Sequence, residues 1–418
     1  MNYRDRENAT LAFDCNLDRG AVEETFYPWE LTIEQWENQG LSKRFREKLV
    51  FPTMPTNNLY LPKDREIRPE EKYFNCLMTE EVLNYERSLG FDPLIRVAFR
   101  IPFECFEEHV IEDTSEFTIK LDKDGWTRQY YKNSSLVKEL KPVVSNEEDW
   151  ARLKEKVQKE LDQYCTEENI QKIYGSYKDG HDKGDYAIRF RMSGFFWTPR
   201  ILLGIEEHML AFYDYPEMLH DINEFALQVY MKILDKIFDI IPPNVVLIEE
   251  DLSGNNGPML SPKTFDEFVG AYYKRLAPFL KSKGVKNVFV DTDGNFTSLI
   301  PHFLEAGIDG FLPMDVNGGM DIVAVREKYP SLKFIGGYNK LEIAYGKEAI
   351  DKEFERIKPV IRQGGFLPSC DHQVPPDAPL ENYRYYIKRL KEVMLESRGT
   401  ELSKLLLNLS KNIELFEF

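Results

Sequence analysis

Long apolar runs are missing from this 418-residue chain. No uninterrupted stretch approaches the roughly 18 to 20 residues that cross a bilayer, so no helical membrane span is expected. Basic blocks are missing too. The chain holds 54 lysines and arginines against 71 aspartates and glutamates, a formal charge of −17. A phosphate backbone would meet like charge, and nucleic acid is not an expected partner. Cysteine is scarce: Cys15, Cys76, Cys105, Cys165 and Cys370 are an odd set without CxxC spacing, which suits reduced thiols better than a disulfide framework. The opening MNYRDRENATLAF lacks the apolar stretch and small-residue cleavage site of a secretory signal, so a cytoplasmic location is expected. No strand-like run is followed by a glycine-rich phosphate loop, which counts against a dinucleotide-binding sheet.

What is present is an alternation. From about residue 185, short β-rich runs alternate with helix-length amphipathic stretches, and the runs end in polar residues or glycine. They read NVVLIEED (244–251), NVFVDTDGN (287–295), GFLPMDVNGG (310–319), KFIGGYNK (333–340) and GGFLPSCDH (364–372). Between them, SPKTFDEFVGAYYKRLAPFLKSKG has Ser261 as a cap, Pro262 in the first turn and Gly284 at the end, the signals of a helix. Repeated strand–helix units predict an α/β chain folded as a (β/α)8 TIM-type barrel. Residues 1–150 differ in kind, with many aromatics, scattered prolines and a hairpin, FTIKLDKDGWTRQYY, turning at Asp124-Gly125. They are expected to form an N-terminal elaboration of helices and a β-hairpin, a lid on a barrel spanning 151–396. Residues 397–418 carry leucines at helical spacing and read as a helical tail for packing or subunit contact, the basis for expecting a homodimer.

In a parallel barrel the residues that end each strand meet at one mouth. Asp291 and Asp293, two apart on one strand, would face the same way, and close carboxylates must share a proton, pair with cations or bind a metal. The alternative is that one faces solvent and the other caps the next helix. His372 sits in the dense polar segment FLPSCDHQVPPD, beside Cys370, Asp371 and Asp377. Asp291, Asp293 and His372 are the types that hold zinc or another divalent ion with an open position; Cys370 competes with His372 for that role, because zinc prefers a thiolate. Glu249, Glu250 and Asp251 offer a general base or a supporting carboxylate, or else a solvated edge.

These segments together resemble the uroporphyrinogen decarboxylase superfamily. The likeness begins at YRDRENATLAFDCNLDRGAV and continues through SGFFWTPRILLGIEEHMLAFYDYPEMLHDI, GPMLSPKTFDEFVGAYYKRL, GGYNKLEIAYG and DHQVPPDAPLENYRYYIKRL. It implies a β/α barrel and two kinds of chemistry, decarboxylation of a porphyrinogen or methyl transfer with corrinoid proteins. The decarboxylases bind their substrate's carboxylates through an arginine-rich segment near the N-terminus. Here that region reads ETFYPWELTIEQWENQGL, without arginine and with Glu24, Glu30, Glu34 and Glu37, so an octacarboxylate would meet like charge.

The zinc methyltransferases of the superfamily carry His-x-Cys at a middle strand end and a late GCG cysteine. This chain has Asp291-Thr292-Asp293 at the first place and His372 near the second, with Cys370 two residues earlier. The closest likeness is to O-demethylase-like members with DHxVPPD turns. The resemblance therefore implies a methyltransferase that moves a methyl group between a small donor, such as a methyl ether, and a corrinoid protein. His372, Asp293 and Asp251 would be catalytic. Asp291, Asp293, His372 and Cys370 would hold a Zn2+ or similar ion, and Asn339, Lys340, Tyr27 and Trp29 would contact substrate, with Trp36 beside them. A decarboxylase of a tetrapyrrole or smaller acid is the runner-up. A barrel that only binds a small ligand is the third reading.

Overall fold

The computed structural model describes residues 1–14, 16–50, 61–62, 71, 73–76, 80–134 and 136–396. The predicted tail, 397–418, lies outside the described residues. Seven strands form one parallel, curled sheet: β1 (Leu94–Phe99), β2 (Ala187–Ser193), β3 (Val245–Glu249), β4 (Asn287–Asp291), β5 (Gly310–Leu312), β6 (Lys333–Tyr338) and β7 (Phe366–Cys370). They are ordered in space as in sequence, with a short strand, Phe74–Cys76, paired antiparallel to β1. This is the TIM-type architecture. The helices between strands start and stop where the sequence signals them. Ser261 Oγ accepts from the Thr264 N–H at 3.1 Å, the following helix passes through a π turn at Asp266–Gly270, and Gly284 leaves it at φ +86°.

Alternation along the strands separates two cores. Val246, Ile248, Val288, Val290, Phe334 and Tyr338 point outward under the helices. Val245, Leu247, Phe289, Leu312, Ile335 and Leu367 point inward and fill the barrel, joined by Leu11, Ala21 and Phe26 from the N-terminal segment.

Between β7 and β1 there is no strand ladder among the described residues. Residues 20–26 occupy that eighth place instead. The Asp92 N–H donates to the Val22 carbonyl at 2.7 Å, the Cys370 N–H donates to Glu24 Oε1 at 3.0 Å, and Ser369 Oγ lies 3.4 Å from Thr25 Oγ1. Side chains in this segment alternate like those of a strand: Ala21 joins the interior, Val22 the outer core. The preceding helix α1 (Tyr3–Leu11) closes the end opposite the mouth, where Asn244, just ahead of β3, donates to the Arg4 carbonyl at 2.8 Å.

The barrel thus starts well before residue 151. Leu94–Phe99 is one of its strands, and residues 20–26 are part of its wall. The hairpin turning at Asp124-Gly125 is present, with Phe117 opposite Tyr131 and Gly125 at φ +82°. It is the centre of a four-stranded antiparallel meander, His109–Asp113, Phe117–Leu121, Thr127–Tyr131 and Val137–Lys141.

Candidate active site

The carboxyl ends of the parallel strands converge as expected. Inward alternation on β2 places Arg189 and Arg191 inside the barrel, one layer apart. Lower down, Arg189 is buried with Glu7 at 3.4 Å and Glu23 at 2.5 Å. Burial beside Glu23 pushes the Glu7 carboxyl up to about 8, with Arg189 opposing. One layer higher, Arg191 meets Glu249 at 3.2 Å and Asp291 at 3.1 Å, carboxylates that end β3 and β4 in direct register. Burial raises Asp291 to about 8 against the pull of Arg191. One guanidinium faces two carboxyls, and the second keeps a proton.

Asp293 lies just past the end of β4. The chain there turns through Gly294 at φ +69°, packed so tightly on the backbone of Gly254 that an added Cβ would come within 2.6 Å of it. The Gly294 N–H donates to Asp315 Oδ2 at 3.2 Å. Burial raises Asp293 to about 7, helped by Asp251, Asp315 and Asp371 and opposed by Lys340. Its carboxyl makes no hydrogen bond or ion pair with a side chain or backbone group among the described residues.

Asp371 is fully buried and heavily bonded. It accepts from the Lys340 N–H at 3.1 Å, Lys340 Nζ at 3.3 Å and the Val316 N–H at 3.1 Å. It thereby fixes Lys340 at the mouth. His372 follows, its ring stacked on Phe26 at 5.0 Å and 13° and tilted against Trp29 at 6.3 Å. Burial, then the nearby Lys340 ammonium, lowers it to about 4, with Asp315 opposing. Asp293 and His372 both feel Lys340 and Asp315, which brings them to the same end of the barrel.

Other expected residues are elsewhere. Cys370 faces out, because Leu367, Ser369 and Asp371 take the inward positions. It is wholly buried in the outer core against Tyr386, whose hydroxyl it hydrogen-bonds. It is therefore not a ligand at the mouth. Tyr27 also lies in the outer core, its hydroxyl donating to Glu86 and accepting from Arg96, so it lines no inner pocket. Trp36 is a core residue that donates to the Ala378 carbonyl at 2.7 Å.

The trio ending β3 splits three ways. Glu249 pairs with Arg191. Glu250 turns outward and is buried, accepting from the N–H groups of Phe195, Phe196 and Trp197 at 2.8–2.9 Å and from Tyr273. Asp251, in the left-handed region at φ +41°, pairs with Arg200 at 3.0 Å and is 39% exposed on its side chain. Asn339 caps the following turn, accepting from the Leu341 N–H at 3.2 Å and from Asn317 Nδ2 at 3.2 Å.

The zinc set is not assembled. Among the described residues no three His, Cys, Asp or Glu side chains group as metal ligands. Asp291 is engaged with Arg191 and Cys370 faces away, so the residues do not fit a zinc site. Sequence reasoning missed Arg191, Arg200 and Phe26. The first had a signal in AIRFRMS, where Arg189 and Arg191 interrupt an apolar strand at a spacing of two and so share a face.

Residues 141–393 match the family model described as Uroporphyrinogen decarboxylase (URO-D). Similar curated proteins include the uroporphyrinogen decarboxylases of Sulfurovum sp. (strain NBC37-1), 25% identical over 183 residues, and of Aliarcobacter butzleri (strain RM4018), also 25% identical over 183 residues. Each match takes in 43% of this chain and 50% of the relative, so the chain spans about half the length of the curated relatives it matches. A solved methyltransferase from Methanosarcina mazei has the same fold, with a TM-score of 0.56 over 94% of this chain and 99% of that one, at 14% identity. No helix among the described residues is long and apolar enough to cross a membrane.

Proposed function

The chain belongs to the uroporphyrinogen decarboxylase family, a family of enzymes, and we propose that it moves a methyl group from a small methylated donor, such as a methyl ether, to a corrinoid carried by a partner protein. The observation that carries this reading is Asp293, a carboxyl at the mouth that still holds a proton near neutral pH and has no partner among the described residues to give it to. A methyl–oxygen bond breaks easily only if the departing oxygen is protonated, because an alkoxide or phenoxide is a poor leaving group. In the proposed step the acceptor takes the methyl carbon without the bonding pair, the pair stays on oxygen, and Asp293 delivers its proton there, leaving an alcohol and an aspartate. The corrinoid supplies the nucleophile when its protein is docked.

His372 does not fit the role of proton donor. With its value near 4 the ring is neutral at pH 7. It serves with Phe26 and Trp29 as an aromatic wall against which a small donor packs, while Lys340, anchored by Asp371, holds down the charge on Asp293 after the proton leaves.

The charge balance speaks against decarboxylation of a polycarboxylate. Arg191 and Arg200, the guanidiniums placed here at the strand ends, are both already paired to carboxylates of this chain. An octacarboxylate needs several unpaired cations. The test is direct. Incubation with methoxyaromatic, methanol and methylamine donors and free cob(I)alamin is expected to give the methylcobalamin spectrum with at least one donor. Absence of transfer from all of them, with carbon dioxide release from uroporphyrinogen by the same preparation, would replace this reading by decarboxylation.

A further inference from the structure

The meander has an odd exposure pattern. Every residue of its two outer strands, His109–Asp113 and Val137–Lys141, is exposed, and every residue of the two inner strands is only half-buried. A small antiparallel sheet normally buries one face. Here neither face is fully buried among the described residues. The ends are nevertheless fastened: Trp126 Nε1 donates to the Ile201 carbonyl at 2.8 Å, and the Val144 N–H donates to the Leu202 carbonyl at 3.1 Å. Both acceptors sit on the helix Trp197–Leu203, which leaves the carboxyl end of β2. The meander itself is inserted after the carboxyl end of β1, so it stands beside the mouth.

Its two edges carry opposite charge. Residues 107–116 hold Glu107, Glu108, Glu112, Asp113 and Glu116 and no lysine or arginine, whereas the far edge has Lys138 and Lys141 around Glu139. Glu108 pairs with Lys120 at 3.2 Å and Asp113 with Lys132 at 2.9 Å. Glu107, Glu112 and Glu116 pair with no cation among the described residues. Between them Val110 and Ile111 are 59% and 56% exposed. An edge strand left without lysine, proline or cover invites another chain, and proteins usually block such edges.

We propose that the acidic edge of the meander, residues 107–116, is the docking strand for the protein that brings the methyl acceptor to the mouth, a partner that presents a lysine- and arginine-bearing surface with an apolar centre. Charge selects this partner over a second copy of the chain. Two copies meeting by this edge would oppose five carboxylates with five, the far edge would oppose lysine with lysine, and a contact between unlike edges leaves one edge of each copy open and does not close into a dimer. The sheet is also small. Four strands of five residues offer on the order of 300 Å² per side, from strand spacings of about 4.8 Å and rises of about 3.3 Å per residue, well below the roughly 800 Å² per partner of a stable complex. That area suits an encounter that forms and dissolves at each turnover, guided by charge.

The inference rests on the proposed methyl transfer, and the experiment separates the two. Methyl transfer is followed with free cob(I)alamin and with a panel of purified corrinoid proteins in the reduced state, for wild type and for Glu107→Lys/Glu112→Lys/Glu116→Lys. None of these side chains touches the mouth or an internal ion pair. The triple variant is expected to lower kcat/KM for the accepting corrinoid protein at least tenfold through KM, to leave transfer to free cob(I)alamin within twofold, and to lose the salt sensitivity of the wild-type protein–protein reaction. Lys138→Glu on the opposite edge is expected to change neither. Equal rates in the triple variant, an equal loss in Lys138→Glu, or transfer to free cob(I)alamin with no panel protein accepting would overturn the docking strand. No transfer to free cob(I)alamin by wild type would overturn the methyl transfer itself. A wild-type dimer that the triple variant converts to monomer would assign the edge to self-association and overturn the proposal.

Discussion

Glu250 and Asp293 are two carboxyls raised to about 7 in the same barrel, and they share almost nothing else. Glu250 faces the outer layer, is 0% exposed and receives four donors, three of them the first N–H groups around a helix start. Burial raises it, and the donors hold the rise in check. Asp293 faces the mouth, receives no donor from the described residues, and is raised by burial together with the like charges of Asp251, Asp315 and Asp371. A displaced pKa therefore does not by itself mark a site of reaction. In one region it records a structural knot. In the other it records a proton with nowhere to go among the described residues, and only geometry tells the two apart.

The largest effect that would break this contrast is at the mouth. Asp293→Asn keeps the shape and removes the proton donor, so methyl transfer is expected to fall by roughly a hundred- to ten-thousand-fold, with the loss in kcat and the alkaline limb near pH 7 gone from the profile. Stability should move the other way. A carboxyl whose folded value lies above its unfolded value binds more protons when folded, so stability declines as pH rises between about 4 and 7. Asp293→Asn should remove part of that decline, and urea melts at pH 5 and pH 8 measure it. An activity profile with no limb near 7 in the wild type would deny Asp293 its role.

Glu250→Ala is the matching test in the outer layer. It strands three backbone N–H groups and a tyrosine hydroxyl in a dry place, which costs about 3–4 kcal/mol of stability. Glu250→Gln, which keeps an acceptor, should cost about half of that on the same scale. If Glu250→Gln instead cut turnover as strongly as Asp293→Asn with no change in unfolding midpoint, the division between knot and site would be wrong.

How much of this could be read from the chain alone follows from which interactions are local. The strand–helix order, the cap at Ser261 and the turn at Asp124-Gly125 are set by neighbours in sequence, and all stand where the pattern places them. The convergence of Asp293 and His372 follows from parallel topology. The rest depends on register and parity. That Cys370 faces out is decided by counting from Leu367, whose inward direction is known only once the barrel closes, and His372 is placed by the bend that follows the strand's last residue. The partner of Asp291 is Arg191, a hundred residues earlier, visible only when β2 and β4 are seen flanking β3. Residues 20–26 form no ladder, so no strand pattern announces that they complete the wall.

A smaller effect sharpens the electrostatics of the mouth. Lys340 lowers both Asp293 and His372 from their other influences. Lys340→Met should therefore raise both titration midpoints. The alkaline limb of methyl transfer moves up, and the imidazole carbon shift of His372 in an NMR titration moves toward the ordinary range. His372 adds the opposite slope to the stability curve, since a depressed histidine favours the folded state above about pH 6.5 and loses that advantage as pH falls toward 4. Unchanged midpoints in Lys340→Met would remove Lys340 from the site and leave the charge on the spent Asp293 without its counterion.

The smallest effect concerns the residue two places before His372. Cys370 lies on the outer side of the same strand, under α2 (Leu380–Glu396), with its thiol against Tyr386 and its N–H on Glu24. Burial, followed by the charge of Glu24, holds the thiol well above its ordinary value, so it is neither a thiolate nor a metal ligand in the folded chain. Cys370→Ala removes a buried sulfur and one weak hydrogen bond, which costs about 1–2 kcal/mol. Methyl transfer, its pH profile and its dependence on the partner should stay within twofold of wild type. A loss of turnover in Cys370→Ala beyond that, at an unfolding midpoint within a degree or two of wild type, would mean that the strand presents its other face to the mouth, and the parity from which Asp371 was placed inside would fail with it.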